Sequence, residues 1–556
     1  MKKITFFFLL VFSQITFSHS KITETEKLAA TCKVWGFLKY YHPKVANGEV
    51  NWDKQLLDIL PKIDKAQTKE EFSLILENWI DDLGPIKEIA PIAVPKDVEY
   101  FDKNFDLSWI NSSKTFSKRL SKKLKFIEEN RFQGEQYYVA GFDHVENVFV
   151  RNENLDNLNY NEKNPRLVAL FMYWNLIEYF FPYKYVMDTK WDKSLEELLP
   201  YFVAAKDEEV FYNTMEKLTV RLNDSHVTFF RYPKQDADLN KERHYLPFKA
   251  KIIDEKLIVT EILADSLAEA DGIKIGDVIT KVNDKTISEI ISENRALVSA
   301  SNEGSYLKNV IKRIEMGYTD SITLEFLKED KYTSKTMKWY NYHDSHRNEF
   351  KKSTVKKVRF KMIDNNIGYV NMGNLKPFHI STMIEQLKSA KAIVFDMRNY
   401  PNGTFREISD FLNTNEKEFA IYIRPYYTYP GKYKWDEGTK SGIENNKDYY
   451  KGKVIVLLNE ESISQSEWTA MCFQTAPNTT IIGSQTAGAD GNVSDFDTIK
   501  AFYSRFTGLG VFYPNRRETQ RIGIVPDIEV KPTIKGIQEG KDEVLDRALA
   551  FIETGK

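Results

Sequence analysis

The stretch Glu461-Ser462-Ile463-Ser464-Gln465-Ser466-Glu467 decides the reading of the C-terminal half of this chain. It follows the apolar run Lys453-Val454-Ile455-Val456-Leu457-Leu458 and opens the helix-compatible stretch Trp468 to Thr475. A serine at such a strand-to-helix turn exposes its hydroxyl, and the free N–H groups of the first helical turn point past it. That arrangement suits a nucleophile facing a developing oxyanion. The same residues also spell a capping box, Ser464 with Glu467 three positions on. From this segment alone the cap is the better reading.

Around it, strand-like runs alternate with helical ones. Ile367 to Met372, Ala392 to Phe395, Val454 to Leu458 and Thr480 to Ile482 read as buried strands; Ser381 to Ser389, Phe405 to Asn413 and Gln465 to Thr475 read as helices. Buried strands separated by helices imply an α/β core with parallel pairing, assigned to residues 355–556. The polar, aromatic stretch Tyr427 to Tyr450 is too long for an ordinary connection and is a candidate lid or substrate-facing loop.

The N-terminal third, residues 21–235, reads as helical and contains an internal repeat. Trp35, Pro43, Trp52-Asp53-Lys54, Leu56 and Leu60-Pro61 recur as Trp174, Pro182, Trp191-Asp192-Lys193, Leu195 and Leu199-Pro200, at a constant offset of 139 positions. The copies span about 30–85 and 169–224. The second runs on into Asn223-Asp224-Ser225-His226, and His226 corresponds to Lys87 in the first. A structural role would be shared by both copies, so the asymmetry singles out His226 as a candidate base. Asp344-Ser345-His346 repeats the triplet in a polar stretch and reads as linker, and His42, matched by Phe181, reads as an aromatic packing position.

Phe248 to Thr280 alternates like short strands and contains Gly272-Ile273-Lys274-Ile275-Gly276-Asp277-Val278-Ile279. This resembles a PDZ domain of the bacterial protease type, placed at 245–340. Such domains capture extended chain ends by adding a strand to a sheet edge.

The chain opens Met1-Lys2-Lys3, an apolar stretch Ile4 to Phe12, and Phe17-Ser18-His19-Ser20, which reads as a signal peptide over 1–20. Export to the periplasm or exterior is expected, without a membrane span. A formal net charge of −2 gives no reason to expect nucleic acid. Cys32 and Cys472 are the only cysteines, and no disulfide is expected of them. No zinc-spaced cluster, calcium loop or phosphate loop occurs, so neither metal nor cofactor is expected.

Six segments in order resemble the C-terminal processing peptidases and the tricorn protease core, a serine peptidase family. They are Asn223 to His226, the PDZ-like region, Asp396 to Gly403, Asn459 to Glu467, Gly483 to Gly488 and Gly523-Ile524-Val525-Pro526-Asp527. The resemblance implies a ClpP/crotonase-like α/β catalytic domain, giving a multidomain α/β chain with a duplicated helical region and a PDZ-like β-rich domain. It implies Ser464 as nucleophile. The lysine used by the processing peptidases is Ala489 here, so the resemblance points to the tricorn branch, with His226 as general base preceded by Ser225. It places the oxyanion hole at the N–H groups of Gln465 and of Asn402-Gly403, where Asn402 replaces the first of two glycines. The glutamate supporting the serine falls at Gln520, with Glu518 as a possible substitute.

The expected function is a serine endopeptidase acting on unfolded tails or oligopeptides. The alternatives are a catalytically inactive peptide-binding relative and, sharing only the fold class, a crotonase-type acyl-thioester enzyme. The aromatic repeat reads as packing, and oligomeric state stays open.

Overall fold

The computed structural model describes residues 21–153, 158–232, 244–317, 319–341, 358–363, 366–497 and 501–556. The expected signal peptide and the Asp344-Ser345-His346 triplet lie outside these residues. The chain divides into two compact units, Met1–Ala93 with Asp106–Phe132, and Val94–Phe105 with Gln133–Lys556.

The repeated sequence builds the same local structure twice, once in each unit. The helices Glu24–Tyr41 and Trp52–Lys65 of the first unit have the bounds of Lys163–Phe180 and Trp191–Ala204 of the second, shifted by the same 139 positions. The paired tryptophans explain why. Trp35 and Trp52 each donate an indole N–H to the other's backbone carbonyl, at 3.2 and 3.0 Å. Trp174 and Trp191 repeat the exchange at 3.3 and 3.0 Å. A buried indole must place its N–H, and the reciprocal bond fixes how the two helices meet. His42 is 1% exposed in the first unit, and burial lowers its pKa to about 4, in keeping with a packing position. Cys32 and Cys472 are both buried and are not joined in a disulfide.

Within the second unit, the strands of the main sheet run in the order Phe360–Ile363, Ile367–Asn371, Ala392–Asp396, Lys453–Leu458, Thr479–Gly483 and Ile528–Glu529. The first pair is antiparallel and every later pair is parallel. Alternate residues serve opposite faces. Val454, Val456 and Leu458 pack with the helices Ile380–Leu387, Phe405–Leu412 and Gln465–Phe473, whereas Ile455 and Leu457 pack with Val544, Ala548 and Ile552 of the C-terminal helix. Burial on both faces is why the strand reads as an unbroken apolar run. The expected strands and helices occur within one or two residues of their predicted bounds.

The β-rich domain has a sheet ordered Lys331–Lys338, Ser321–Lys328, Val278–Val282, Lys256–Ile262 and Phe248–Ile253, covered by the helix Glu303–Ile314. Gly276 takes φ 87° at its turn, where the Asp277 carboxylate accepts the Lys274 N–H.

Two smaller sheets bear on the site. The expected loop Tyr427 to Tyr450 contains a strand, Tyr433–Ser441, paired antiparallel with Lys417–Pro425. Only its end residues Tyr433 and Ser441 are buried, so it carries no apolar alternation to betray it. The strand Thr228–Arg231, directly after His226, pairs with Phe502–Thr507 and so sets the histidine beside Thr507.

Candidate active site

Ser464 stands at the junction between Lys453–Leu458 and the helix Gln465–Phe473, with φ 56° and ψ −117°. Left-handed backbone at a non-glycine residue is costly and persists where surrounding bonds impose it. The Ser464 N–H is held by the Ala489 carbonyl at 2.9 Å and the Glu467 carboxylate at 3.1 Å. Glu467 is 0% exposed and also accepts from the Gly488 and Ala489 N–H groups and the Thr486 hydroxyl. Burial pushes its carboxyl up, against those donors, which hold it down.

The hydroxyls of this turn separate by role. Ser462 donates to the Met397 carbonyl at 2.8 Å and Ser466 to the Asn399 carbonyl at 3.2 Å, tying the turn to the segment after Ala392–Asp396. The Ser464 hydroxyl makes no side-chain cap bond. Glu467 reaches back to the Ser464 N–H, and the serine oxygen, with no hydrogen-bond partner among the described residues, lies on the wall of a cavity of about 390 Å³.

Gln465 shares that wall. Gly403 lies against it, since a Cβ on Gly403 would sit 3.5 Å from Gln465 Nε2. Gly403 takes φ 69°, and Asn402 is not among the residues with positive φ. The glycine-demanding position is thus filled by glycine. Asn402 instead donates its amide to the Gly373 and Leu375 carbonyls, both at 2.9 Å, which secures the loop.

His226 is organised by a buried carboxylate that the sequence did not single out. Asp224 is 0% exposed and accepts from the His226 N–H at 3.0 Å, the Thr507 N–H at 2.7 Å, the Thr507 hydroxyl at 2.9 Å and Gln520 Nε2 at 3.2 Å. Thr507 Oγ1 lies 2.9 Å from His226 Nδ1. A threonine hydroxyl has one proton, here given to Asp224, so it accepts the proton of Nδ1–H. That assigns the tautomer and leaves the lone pair on Nε2. Burial lowers the His226 pKa below its ordinary value, and the Asp224 charge partly restores it.

Ser225 is bonded otherwise than expected. Its hydroxyl donates to the Ala487 carbonyl at 2.8 Å, lies 2.8 Å from the Ser305 hydroxyl, whose proton it can accept, and accepts the Ser301 N–H at 2.9 Å. Gln520 supports Asp224 and not Ser225. Glu518 accepts the Tyr185 hydroxyl at 2.7 Å; among the described residues it makes no bond to Ser225 or His226. Its placement on a shared strand face with Gln520 fails because Glu518 forms an isolated bridge to Phe512 and a turn begins at Gln520.

Ser464 and His226 both converge on residues 487–489, through Ala489 and through Ser225 with Ala487. No hydrogen bond joins the Ser464 hydroxyl to the His226 ring. The cavity wall at Ser464 also includes His144, Arg424 and Asp490, none of which stood out in the sequence. His144 and Asp490 lie in turn-like stretches that carry no motif; His144 is exposed and Asp490 buried, and only the fold brings them to one wall.

Comparison with known proteins gives matches over the same regions. Residues 366–530 match "Peptidase family S41" and residues 236–305 match "PDZ domain". The chain is 24% identical over 288 residues to the "Probable CtpA-like serine protease" of Staphylococcus haemolyticus, covering 50% of each. It is 21% identical over 318 residues to the "Carboxy-terminal processing protease CtpA" of Bacillus subtilis, covering 54% of this chain and 60% of that one. The chain thus spans about half the length of the curated relatives it matches. The solved "Structure of mature CPAF complexed with lactacystin" shares the fold with a TM-score of 0.55 at 13% identity, over 70% of this chain and 99% of that one.

Proposed function

We propose that this chain, which carries a peptidase family S41 domain at residues 366–530 and a PDZ domain at 236–305, is an exported serine endopeptidase that cleaves unfolded tails or oligopeptides. The observation that carries the reading is the division of labour among three serines. Ser462 and Ser466 spend their hydroxyls on structure, and Ser464, on a strained turn at a cavity wall, does not.

In this reading a peptide carbonyl enters the cavity and the Ser464 hydroxyl attacks it. His226 Nε2 takes the hydroxyl proton and returns it to the departing amine. Thr507 holds Nδ1–H and passes the influence of Asp224 to the ring as imidazolium forms. The N–H groups of Gln465 and Gly403 receive the oxyanion; each such donor contributes on the order of 3 kcal/mol. The bond between Ser464 and His226 forms with substrate in place, as catalytic hydrogen bonds tighten in the Michaelis complex. The PDZ domain supplies a place for the extended substrate chain.

A fluorophosphonate probe tests this directly. Wild type is expected to be labelled, Ser464→Ala not at all, and His226→Ala at least about a hundredfold more slowly. His144 shares the cavity with Ser464, so His144→Ala is the control; if it abolished labelling and His226→Ala did not, the base assignment would pass to His144. The unformed Ser464–His226 bond favours a second reading, a peptide-binding protein without turnover. Tight peptide binding by an unlabelled, folded wild type is the result that would establish it.

A further inference from the structure

Asp490 is the least satisfied charged side chain at the cavity. It is 5% exposed, yet among the described residues neither carboxylate oxygen has a hydrogen-bond partner, and it lines the same cavity wall as Ser464. A buried carboxyl without a partner is expensive, and chains retain one where something else completes it. The nearby groups do not. Glu467, the closest acidic neighbour in effect, is saturated by its own donors. Arg424 lines the cavity too, but its guanidinium is paired with Asp436 on the adjoining strand and donates to the Val145 carbonyl. Burial and the Glu467 charge push the Asp490 carboxyl well above the usual carboxylate range, so its charged form calls for a counter-ion.

The wall is mixed: Thr439 and Asn492 are polar, and Trp468, Tyr422, Leu509 and Val511 give it an aromatic and apolar part. An aliphatic stem suits those surfaces, and a cation suits both the aromatic faces and the unpaired carboxylate. Resting on the peptidase reading of Ser464, we infer that this cavity binds the side chain of a lysine or arginine next to the scissile bond, with Asp490 as its counter-ion. Asp490 is then the specificity-determining residue. The entering cation stabilises the charged form of Asp490, and any proton displaced from the carboxyl leaves to solvent.

The test uses internally quenched decapeptides with acetylated N-termini, differing only in lysine, arginine or norleucine before the cleaved bond. The expected kcat/KM for lysine or arginine exceeds that for norleucine by about thirtyfold or more, the range of a desolvated charge pair. In Asp490→Asn the ratio falls to about threefold or less. A wild-type ratio near one, or a ratio that survives in Asp490→Asn, overturns the inference. A preference that appears only when the same peptides carry a free α-amine assigns the site to a chain terminus and overturns it as well.

Protection experiments need no variant. n-Butylguanidinium is expected to slow fluorophosphonate labelling of Ser464 where 1-pentanol at the same concentration does not; equal protection counts against a cation site. Labelled wild type without basic preference sinks this inference alone, and unlabelled wild type sinks the peptidase reading beneath it.

Discussion

Asp224→Asn tests the organisation of the site most sharply. The carboxylate lies one hydroxyl away from the imidazole, since Thr507 Oγ1 is 2.9 Å from His226 Nδ1 and 2.9 Å from Asp224 Oδ1. At roughly 5 Å and an effective dielectric of about 20, its attraction for the imidazolium is about 3 kcal/mol, roughly a hundredfold in rate. A second effect adds to this. Three donors, the His226 N–H, the Thr507 hydroxyl and Gln520 Nε2, meet Oδ1, so an asparagine keeps its oxygen there and sets its NH2 against the Thr507 N–H at Oδ2, which loosens the residue that holds the imidazole. The expected loss in kcat/KM is therefore a hundredfold or more. Thr507→Val removes the bridge while keeping the side-chain shape, and the double variant is expected to be little worse than either single one, because both break one relay.

The assay is kcat/KM against pH, with thermal unfolding to confirm a folded protein. On the proposed mechanism activity needs neutral His226, so in wild type it is expected to fall on the acid side at a pH below the ordinary histidine value, burial having lowered the pKa. Asp224 is the raising influence on that group. Its removal makes the imidazolium still less favourable, so the acid limb moves further down the pH scale as the plateau drops. A role in folding alone leaves the limb where it was. Folded Asp224→Asn with kcat/KM within about threefold of wild type refutes the relay, since the Coulomb estimate allows no such small effect.

Three further outcomes follow from the bonds around Ser464. Glu467→Gln sets an amide against the Ser464, Gly488 and Ala489 N–H groups and the Thr486 hydroxyl, and is expected to cost on the order of 3 kcal/mol in urea unfolding, with the labelling of Ser464 lost in parallel. Asn402→Ala abandons the Gly373 and Leu375 carbonyls and should lower kcat by about tenfold with KM little changed, as read by steady-state kinetics, because it loosens an oxyanion donor. Gly403→Ala meets only ordinary van der Waals contact but holds φ 69°, so calorimetry should find a stability loss of about 1 kcal/mol.

Much of this architecture was legible locally. The strand Lys453–Leu458 shows as an apolar run because both its faces are buried, and the serine turn follows it at once. The helical repeat shows because each tryptophan pair must recur together for its reciprocal bonds to form. What stayed hidden is what long-range pairing creates. Thr507 lies 283 positions from Asp224 and meets it only because Thr228–Arg231 pairs with Phe502–Thr507. Asp490 sits in Ala489-Asp490-Gly491, which reads as a solvated turn until packing buries it.

The glutamine at 520 shows how a site can keep its charge while moving it. A glutamate there is the residue the resemblance implies, and glutamine supplies no charge. In this fold, however, Gln520 Nε2 stands 3.2 Å from Asp224 Oδ1, with both side chains 2% exposed or less. A glutamate at 520 would press a second buried carboxylate against the first, which two like charges at that separation do not tolerate without one taking a proton. An amide instead donates to the carboxylate. Glutamine at 520 is therefore the residue that Asp224 requires, and the carboxylate that steadies the histidine has moved to a position two residues before it. It follows that Gln520→Glu alone impairs the site, and that joining it to Asp224→Asn, which leaves one carboxylate facing one amide, recovers part of the loss.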